Sequence, residues 1–408
     1  MSDVATTPDL SVRAVETDEE LRLANDLMAK VHGDYFTNLH WLETCGAGYP
    51  LFRRAHTRIA LWRNELAGSL RINTETIRLG EARLKMGGLC WVTTTPRHRR
   101  KGICRALMVD TLKYLRDHNY HVGMLFGIPN FYHQFGFETT LADYVIVVDA
   151  VEAPRTFASE LRLREAKPGD IGAVQKIHAA NDTDVACSLL RTCAHITNKW
   201  DRCKGMRVLT TEQGKVVAYF VAHRKDDHLC VEEVGIAGPD VAGEVLATCV
   251  RIAGEETVAR IRFLTPPPHP FARFLLLCES VHEMRIVRDR GGMMAFIDVG
   301  ESLESLIPEW ESLLAKSAAR DYRTEVTLLV DKEPFRVRAN RGAVDVAQVS
   351  GCNKTSVSGA ELMHLITGYR HVEDILNAQR RIVAPEARAL LAVLFPKRSP
   401  YVWTFDRF

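Results

Sequence analysis

Leu89-Cys90-Trp91-Val92, followed shortly by Pro96-Arg97-His98-Arg99-Arg100-Lys101-Gly102-Ile103-Cys104-Arg105-Ala106-Leu107, is the stretch on which the fold turns. An apolar strand runs into a short basic loop and then into a helix, which is how a chain builds a seat for a pyrophosphate. Gly102 is the pivot. A side chain there would keep backbone N–H groups from closing on phosphate oxygens, while the first helical turn adds unpaired donors and the positive end of the dipole. The expected occupant is a polyanion. Across the whole chain 53 Lys+Arg face 51 Asp+Glu, so the positive charge is concentrated at this junction instead of spread along a stripe. That argues against a nucleic-acid partner and for a small ligand.

The segment resembles motif A of the GNAT acetyltransferases, Arg/Gln-x-x-Gly-x-Gly/Ala, with Arg99, Gly102 and Cys104 at the defining positions. The resemblance implies acetyl-CoA as co-substrate. The strand residues Val92, Thr93 and Thr94 would pair with its pantetheine arm, and Arg99, Arg100, Lys101, Gly102, Ile103, Cys104 and Arg105 would surround its pyrophosphate. Cys104 departs from the pattern, where Gly or Ala is usual, but a thiol is small enough for the loop to accept. Downstream, Gly127-Ile128-Pro129-Asn130-Phe131-Tyr132-His133-Gln134-Phe135-Gly136-Phe137-Glu138 resembles the family's second signature, Tyr-x-x-Phe-Gly-Phe. Gly127, Ile128 and Asn130 thereby join the expected cofactor contacts, and Tyr132 becomes the expected general acid near the coenzyme sulfur. A leaving thiolate needs a proton, and a phenol of pKa about 10 holds one at neutral pH. A core aromatic with a satisfied hydroxyl is the other reading of Tyr132.

With 408 residues and ordinary apolar and charged fractions, two or three domains are expected, each able to bury its own core. No apolar stretch approaches the roughly 20 residues of a membrane span, and Met1-Ser2-Asp3-Val4 opens no signal-peptide pattern, so the expected setting is cytoplasmic, away from membranes. Ten cysteines (Cys45, Cys90, Cys104, Cys187, Cys193, Cys203, Cys230, Cys249, Cys278 and Cys352) form no Cys-x-x-Cys. A reduced compartment with no metal is the expectation. Cys187, Cys193 and Cys203 with His195 match no regular ligand spacing. Neither Cys90 nor Cys104 has a His–acid pair beside it in sequence to make it an acyl carrier.

Strand and helix signals alternate over 11–150, with a hairpin around Arg63-Asn64-Glu65, the motif loop, a helix Lys101 to Asp117, and Tyr144-Val145-Ile146-Val147-Val148 expected to close the sheet. A second start at Leu161-Arg162-Leu163-Arg164-Glu165-Ala166 echoes Val12-Arg13-Ala14-Val15-Glu16, and the order of elements repeats. At the second junction, Ala237-Gly238-Pro239-Asp240-Val241-Ala242-Gly243, no basic residue would meet a pyrophosphate, so this copy is expected to be silent. From about 301 the signals change to a helix with Pro308 in its first turn, an antiparallel meander and further helices, resembling a sterol-carrier-protein fold. The predicted class is α/β (α+β): a catalytic GNAT domain over 1–152, a degenerate GNAT domain over 153–300 and a sterol-carrier-protein-like domain over 301–408.

That order resembles the enhanced intracellular survival (Eis) family of acetyltransferases over nearly the whole chain. Members end in an aromatic residue whose α-carboxylate reaches the active site, which implies Phe408 as the base. A free α-carboxyl of pKa about 3.5 is a poor base unless desolvated or relayed through water. The other reading of Phe408 is a frayed terminus, but Tyr401, Trp403 and Phe405 alternate as a buried strand would. Direct transfer is expected, with the oxyanion held by a backbone N–H near Thr94. The resemblance implies amine acceptors such as aminoglycoside-type polyamines or lysine side chains, and a homo-hexamer. Tyr35, Phe36, Trp41 and Tyr49, with Asp34 and Glu43, are candidate walls for a cationic substrate or equally core. A lipid or sterol carrier and a non-catalytic acyl-CoA sensor are the rival functions.

Overall fold

Three sheets carry the chain, and the way the first two exchange a strand sets the geometry of everything else. The computed structural model describes residues 9–33, 38–41, 45, 49–153, 161–288, 291–350, 355–378 and 380–408. The elements of the first half are β1 (Leu10–Ala14), α1 (Asp18–His32), β2 (Thr57–Trp62), β3 (Glu65–Leu79), β4 (Ala82–Thr94), α2 (Ile103–Asp117), β5 (Val122–Gly127), β6 (Glu138–Thr139) and β7 (Asp143–Asp149). There follow β8 (Arg162–Glu165), α3 (Ile171–Asn181), α4 (Cys193–Asn198), β9 (Met206–Thr210), β10 (Val216–Lys225), β11 (His228–Ile236), α5 (Ala242–Glu255), β12 (Arg260–Phe263), β13 (Val281–Arg285) and β14 (Gly291–Phe296). No helix among the described residues is long and apolar enough to cross a membrane.

The first sheet runs β1-β2-β3-β4-β5-β14-β6 and the second β13-β7-β12-β11-β10-β9-β8. This corrects the expectation that Tyr144–Val148 closes the first sheet: β7 lies between β12 and β13 in the second, and β14 takes the place beside β5. The alternating burial of β7 shows one face packed inward; such a pattern says that a strand has a buried face, not which sheet it joins. The exchange stitches the two sheets together.

Helix α2 lays Ile103, Leu107, Met108, Leu112 and Leu115, spaced at helical period, onto Ala67, Leu70, Ile72 and Leu89 of β3 and β4. Helix α1 starts at Thr17, whose hydroxyl accepts the Glu20 N–H, and carries Asp18, Glu19 and Glu20 at its positive end. In the second unit α5 covers one face of the sheet through Val245, Leu246, Cys249 and Ala253, and α3 packs near Tyr219 and Val221 on the other.

The last unit is a four-stranded sheet in the order β17 (Ala343–Gln348), β16 (Glu333–Asn340), β15 (Arg323–Val330) and β18 (Thr355–Val357). The first three are the expected meander; β18 adds a parallel edge, and a helix Pro385–Leu394 lies beyond the expected elements. Ser358 and Glu361 form a capping box that starts the helix Gly359–Ile366. Residues 401–405 are not the strand that their alternation suggested. They run irregularly into a single 3-10 turn at Thr404–Asp406, with Tyr401, Val402 and Trp403 all buried.

Candidate active site

Strands β4 and β5 are parallel and paired only over three positions, Met86↔Val122, Gly87↔Gly123 and Gly88↔Met124. Beyond Gly88 they part. The far side of β4 stays bonded to β3 as far as Thr94, and the far side of β5 is bonded to β14 along its length. The wedge between them therefore presents backbone groups of Leu89–Thr94 that no strand satisfies, and buried backbone groups of this kind need a partner. A bulge sharpens the opening: pairing steps from Arg71↔Cys90 to Ser69↔Thr93, and Trp91 sits at φ +56°. Bulges of this kind bend a strand and re-aim its groups. The Thr95 N–H points to Ala67 O at 2.9 Å, so strand alternation turns the Thr94 N–H the other way, toward the wedge.

At the outer end of β4 the motif loop leads into α2. Gly102 is its N-cap, in the left-handed region at φ +77°, and supplies no side-chain acceptor to the first-turn N–H groups. Here the structure refines the sequence argument: a Cβ on Gly102 would meet nothing within 4 Å in this chain, so the positive φ demands glycine and any steric conflict arises only against a ligand. Arg100, also at positive φ, and Arg99 are exposed and make no ion pair among the described residues. The other basic residues are engaged: Lys101 Nζ lies 4.7 Å from the Trp62 ring centre, Arg97 pairs with Glu65 at 3.0 Å, and Arg105 bonds Gln134 and lies over Phe135. Arg105 thus reaches toward the loop after β5. Ile103 is a core residue under the loop.

Tyr132 stands in a short 3-10 turn after β5, 8% exposed. Its ring packs so closely on Gly127 that a Cβ there would lie 2.6 Å from Cδ2. Burial, with the neighbouring Cys104 adding to it, raises the Tyr132 hydroxyl above an ordinary phenol, so it is a proton carrier at neutral pH. The Cys104 thiol is itself pushed up to about 11 by burial, and Cys90 to about 12 by burial; neither is a ready thiolate. Ile128 and Asn130 are exposed on the same loop, Asn130 at φ +57°.

Phe408 arrives at the crotch of the wedge from the other end of the chain. A Cβ added to Gly88 would overlap its ring, which meets Phe126 edge to face at 5.9 Å. Tyr132 and Phe408 thus flank the same strand end, one against Gly127 and the other against Phe126. Residues behind Phe408 are clamped. Arg407 Nη2 donates to Asp143 Oδ1 at 2.6 Å, and Arg202 Nη1 donates to Arg407 O at 3.0 Å. Asp406 is fully buried: Arg191 Nε donates to both its oxygens at 2.9 and 3.0 Å, and Arg191 Nη1 and Nη2 donate to Glu233 at 2.6 and 2.8 Å. His195 bridges Asp406 (3.2 Å) and Glu75 of β3 (3.4 Å). Burial would raise Asp406, but Arg191 and then His195 hold it well below the usual carboxylate range. Tyr401 Oη donates to Leu264 O and Trp403 Nε1 to Asp182. Residues 401–406 thereby pack across the ends of β11 and β12, whose parallel pairing stops after Val231↔Phe263. This network joins residues more than 200 positions apart and is not legible in the sequence, where His195 stands only beside cysteines of no regular ligand spacing and Asp406 is marked only by the four aromatic residues around it.

Beside this tail lies a cavity of about 410 Å³ lined by Asp201, Arg202, Glu232, Glu233, Thr404 and Phe405, among others. Of its three carboxylates, Glu233 is held by Arg191 and Asp201 lies 3.6 Å from Lys204 Nζ, so Glu232 is the one left to draw a cationic occupant. Of the expected walls, Trp41 lies under the Arg71 guanidinium (5.4 Å) and Tyr49 Oη donates to Glu75 (3.3 Å). Asp34, Tyr35, Phe36 and Glu43 fall outside the described residues. Cys187 is buried, bonded to Met294, and Cys193 is exposed on α4; these two and Cys203 with His195 do not gather.

Residues 11–140 match the family model of the acetyltransferase (GNAT) domain. No curated protein matches the chain. Among solved structures, the GCN5-related N-acetyltransferase from Kribbella flavida is 18% identical with TM-score 0.75, covering 100% of both chains. That from Anabaena variabilis is 15% identical with TM-score 0.75, covering 98% of this chain and 100% of its own. Eis1 from Mycobacterium abscessus is 16% identical with TM-score 0.65, over the same shares. At such identity the likeness is one of fold: two mixed α/β sheets of GNAT type in tandem and a further α+β unit. Residues 11–140, which carry the motif loop and Tyr132, thus match an acetyltransferase (GNAT) domain, a class that uses acyl-CoA.

Proposed function

We propose that the protein is an Eis-type N-acetyltransferase that moves acetyl from acetyl-CoA to an amine of a polycationic small molecule of aminoglycoside type, or of a lysine side chain, by direct attack in a ternary complex. The observation that carries this reading is the wedge between β4 and β5, with the uncapped α2 N-terminus at its mouth and Tyr132 and Phe408 on either side of the end of β5. Pantetheine amides pair with the free edge of β4, and Arg99, Arg100 and the first-turn N–H groups take the pyrophosphate. The amine nitrogen gives its proton to the Phe408 α-carboxylate, directly or through water, and attacks the acetyl carbon. The Thr94 N–H holds the oxyanion. Collapse breaks the C–S bond as Tyr132 protonates the sulfur, and the acylated nitrogen sheds its remaining extra proton to solvent water, from which Tyr132 is reprotonated. The acidic cavity beside Thr404 and Phe405 receives the rest of the cation. The second unit is silent toward coenzyme: its junction offers Asp240 and no base, and residues 401–406 lie across the ends of its strands. The third unit is a sterol-carrier-like module and the assembly a hexamer.

The test is amine-dependent release of coenzyme A thiol from acetyl-CoA with a panel of polyamines, aminoglycosides and lysine peptides, on the native chain, on Tyr132→Phe and on a chain ending at Arg407. Release by the native chain that both variants lose supports the assignment. No release with any amine leaves a carrier or sensor. Full rates in both variants overturn the roles of Tyr132 and Phe408.

A further inference from the structure

On the hairpin β10–β11, His223 and Cys230 are directly opposed cross-strand partners, so their side chains stand on one face of the second sheet. Glu232 would ordinarily join them only as a diagonal neighbour. A bulge changes that. Val221 pairs with Glu233 and Ala222 with Val231, which leaves Glu232 as the extra residue of β11 and turns its carboxylate back toward His223, at 3.9 Å from Nε2. One ligand atom from each of His223, Cys230 and Glu232 lies within 4.8 Å of the others, the only such group of three among the described residues. Helix α5 covers the opposite face, through Ala222, Leu229 and Val231, so this face is open around His223 and Glu232.

The geometry points to a zinc-class metal site here, with imidazole, thiolate and carboxylate as three protein ligands and a fourth position open to water or a small ligand. The donor set selects the metal. A hard cation such as Ca²⁺ or Mg²⁺ needs several oxygens, and only Glu232 offers any. Two ligands on paired strands and a third fixed by a bulge form a rigid frame, and the 4.8 Å spread closes to tetrahedral contact by side-chain rotation. Three ligands and an open position mark a reversible site in preference to a structural one.

Occupancy has a consequence that rests on the acetyltransferase reading. Glu232 also lines the acidic cavity, so a bound divalent cation cancels part of the attraction for a cationic amine. Zn²⁺ then acts as an inhibitor that raises KM for the amine and spares acetyl-CoA binding.

The experiment titrates ZnCl₂ into the metal-free full-length chain by calorimetry, and CoCl₂ with absorption spectroscopy, using native protein, His223→Ala and Cys230→Ser, each checked for fold by circular dichroism. Expected are one strong Zn²⁺ site, a thiolate-to-cobalt charge-transfer band, and loss of at least about tenfold in affinity in each variant, since even outer-shell changes cost 10–100-fold. Zn²⁺ binding unchanged in both variants, or a cobalt spectrum without the thiolate band, overturns the site. If Zn²⁺ binds through these residues but amine KM does not move, the site stands and the link to the cavity fails. If the chain transfers no acetyl group at all, binding still decides the site, independently of the acetyltransferase reading.

Discussion

Arg191 and Asp406, 215 residues apart in sequence, form a fully buried ion pair that sets where the chain ends. The other edge of the same guanidinium holds Glu233 of β11, and His195 carries the link on to Glu75 of β3. Both GNAT-type sheets and the C-terminus thus meet at one cation, two residues before Phe408. Ion pairs this deep owe their effect mainly to what happens when one side is removed: breaking one leaves an uncompensated buried charge at a cost of about 3–5 kcal/mol. Asp406→Ala should therefore lose about that much in denaturant unfolding. Its acetyl transfer should fall further than its bulk stability explains, because Phe408 loses its anchor. An Asp406→Ala chain with native stability and native kcat would show the pair to be incidental.

Two acids in this cluster titrate in opposite senses. Asp406 is held below its ordinary value, so its contribution is present above about pH 4 and is lost as pH falls. Asp182, under Trp403, is pushed up to about 7, chiefly by burial. Its folded value exceeds its unfolded one, so its contribution is fullest below about pH 4 and is lost as pH rises toward 7. Unfolding of the native chain and of Asp182→Asn at pH 5 and pH 8 checks this. The variant should be relatively more stable at pH 8 than at pH 5, and a difference independent of pH would contradict it.

Tyr132→Phe keeps the ring on Gly127 and removes only the hydroxyl. A lost general acid typically costs 10²–10⁴-fold, so kcat should drop by about that factor with KM for acetyl-CoA nearly unchanged. A rise confined to KM, with kcat unchanged, would make Tyr132 a binding residue instead.

At Gly102 the prediction separates backbone from ligand. Alanine has room in the free chain but must adopt a left-handed conformation, at about 1–2 kcal/mol. Gly102→Ala should show that modest loss in stability and a larger loss in acetyl-CoA affinity, measured by thermal unfolding and by binding on the same sample. Equal small losses in both would mean that the loop does not close on phosphate.

Much of the site's local framework is legible in the sequence because it is local: the strand, basic loop and helix around Gly102 lie within twenty-odd residues, and period and glycine placement give them away. The turn at Tyr132 reads the same way. What stayed hidden is made by long-range pairing. Strand β7 carries the same alternation whether it joins the first sheet or the second, so β14 beside β5 could not be foreseen. The burial of Tyr401 and Trp403 shows as an aromatic alternation, but their irregular backbone does not. Asp406 looks like any exposed acid until the fold brings Arg191 to it. Nor does the motif reveal the partners of Arg105, Gln134 and Phe135, which come from the loop after β5.

Equilibrium dialysis of the full-length chain against radiolabelled acetyl-CoA tests the central claim most directly. The wedge in the first unit and the tail across the second predict one bound coenzyme per chain, displaced by coenzyme A and strongly weakened in an Arg99→Ala, Arg100→Ala double variant. No retained label, or two equivalents per chain that the double variant leaves intact, would contradict the account.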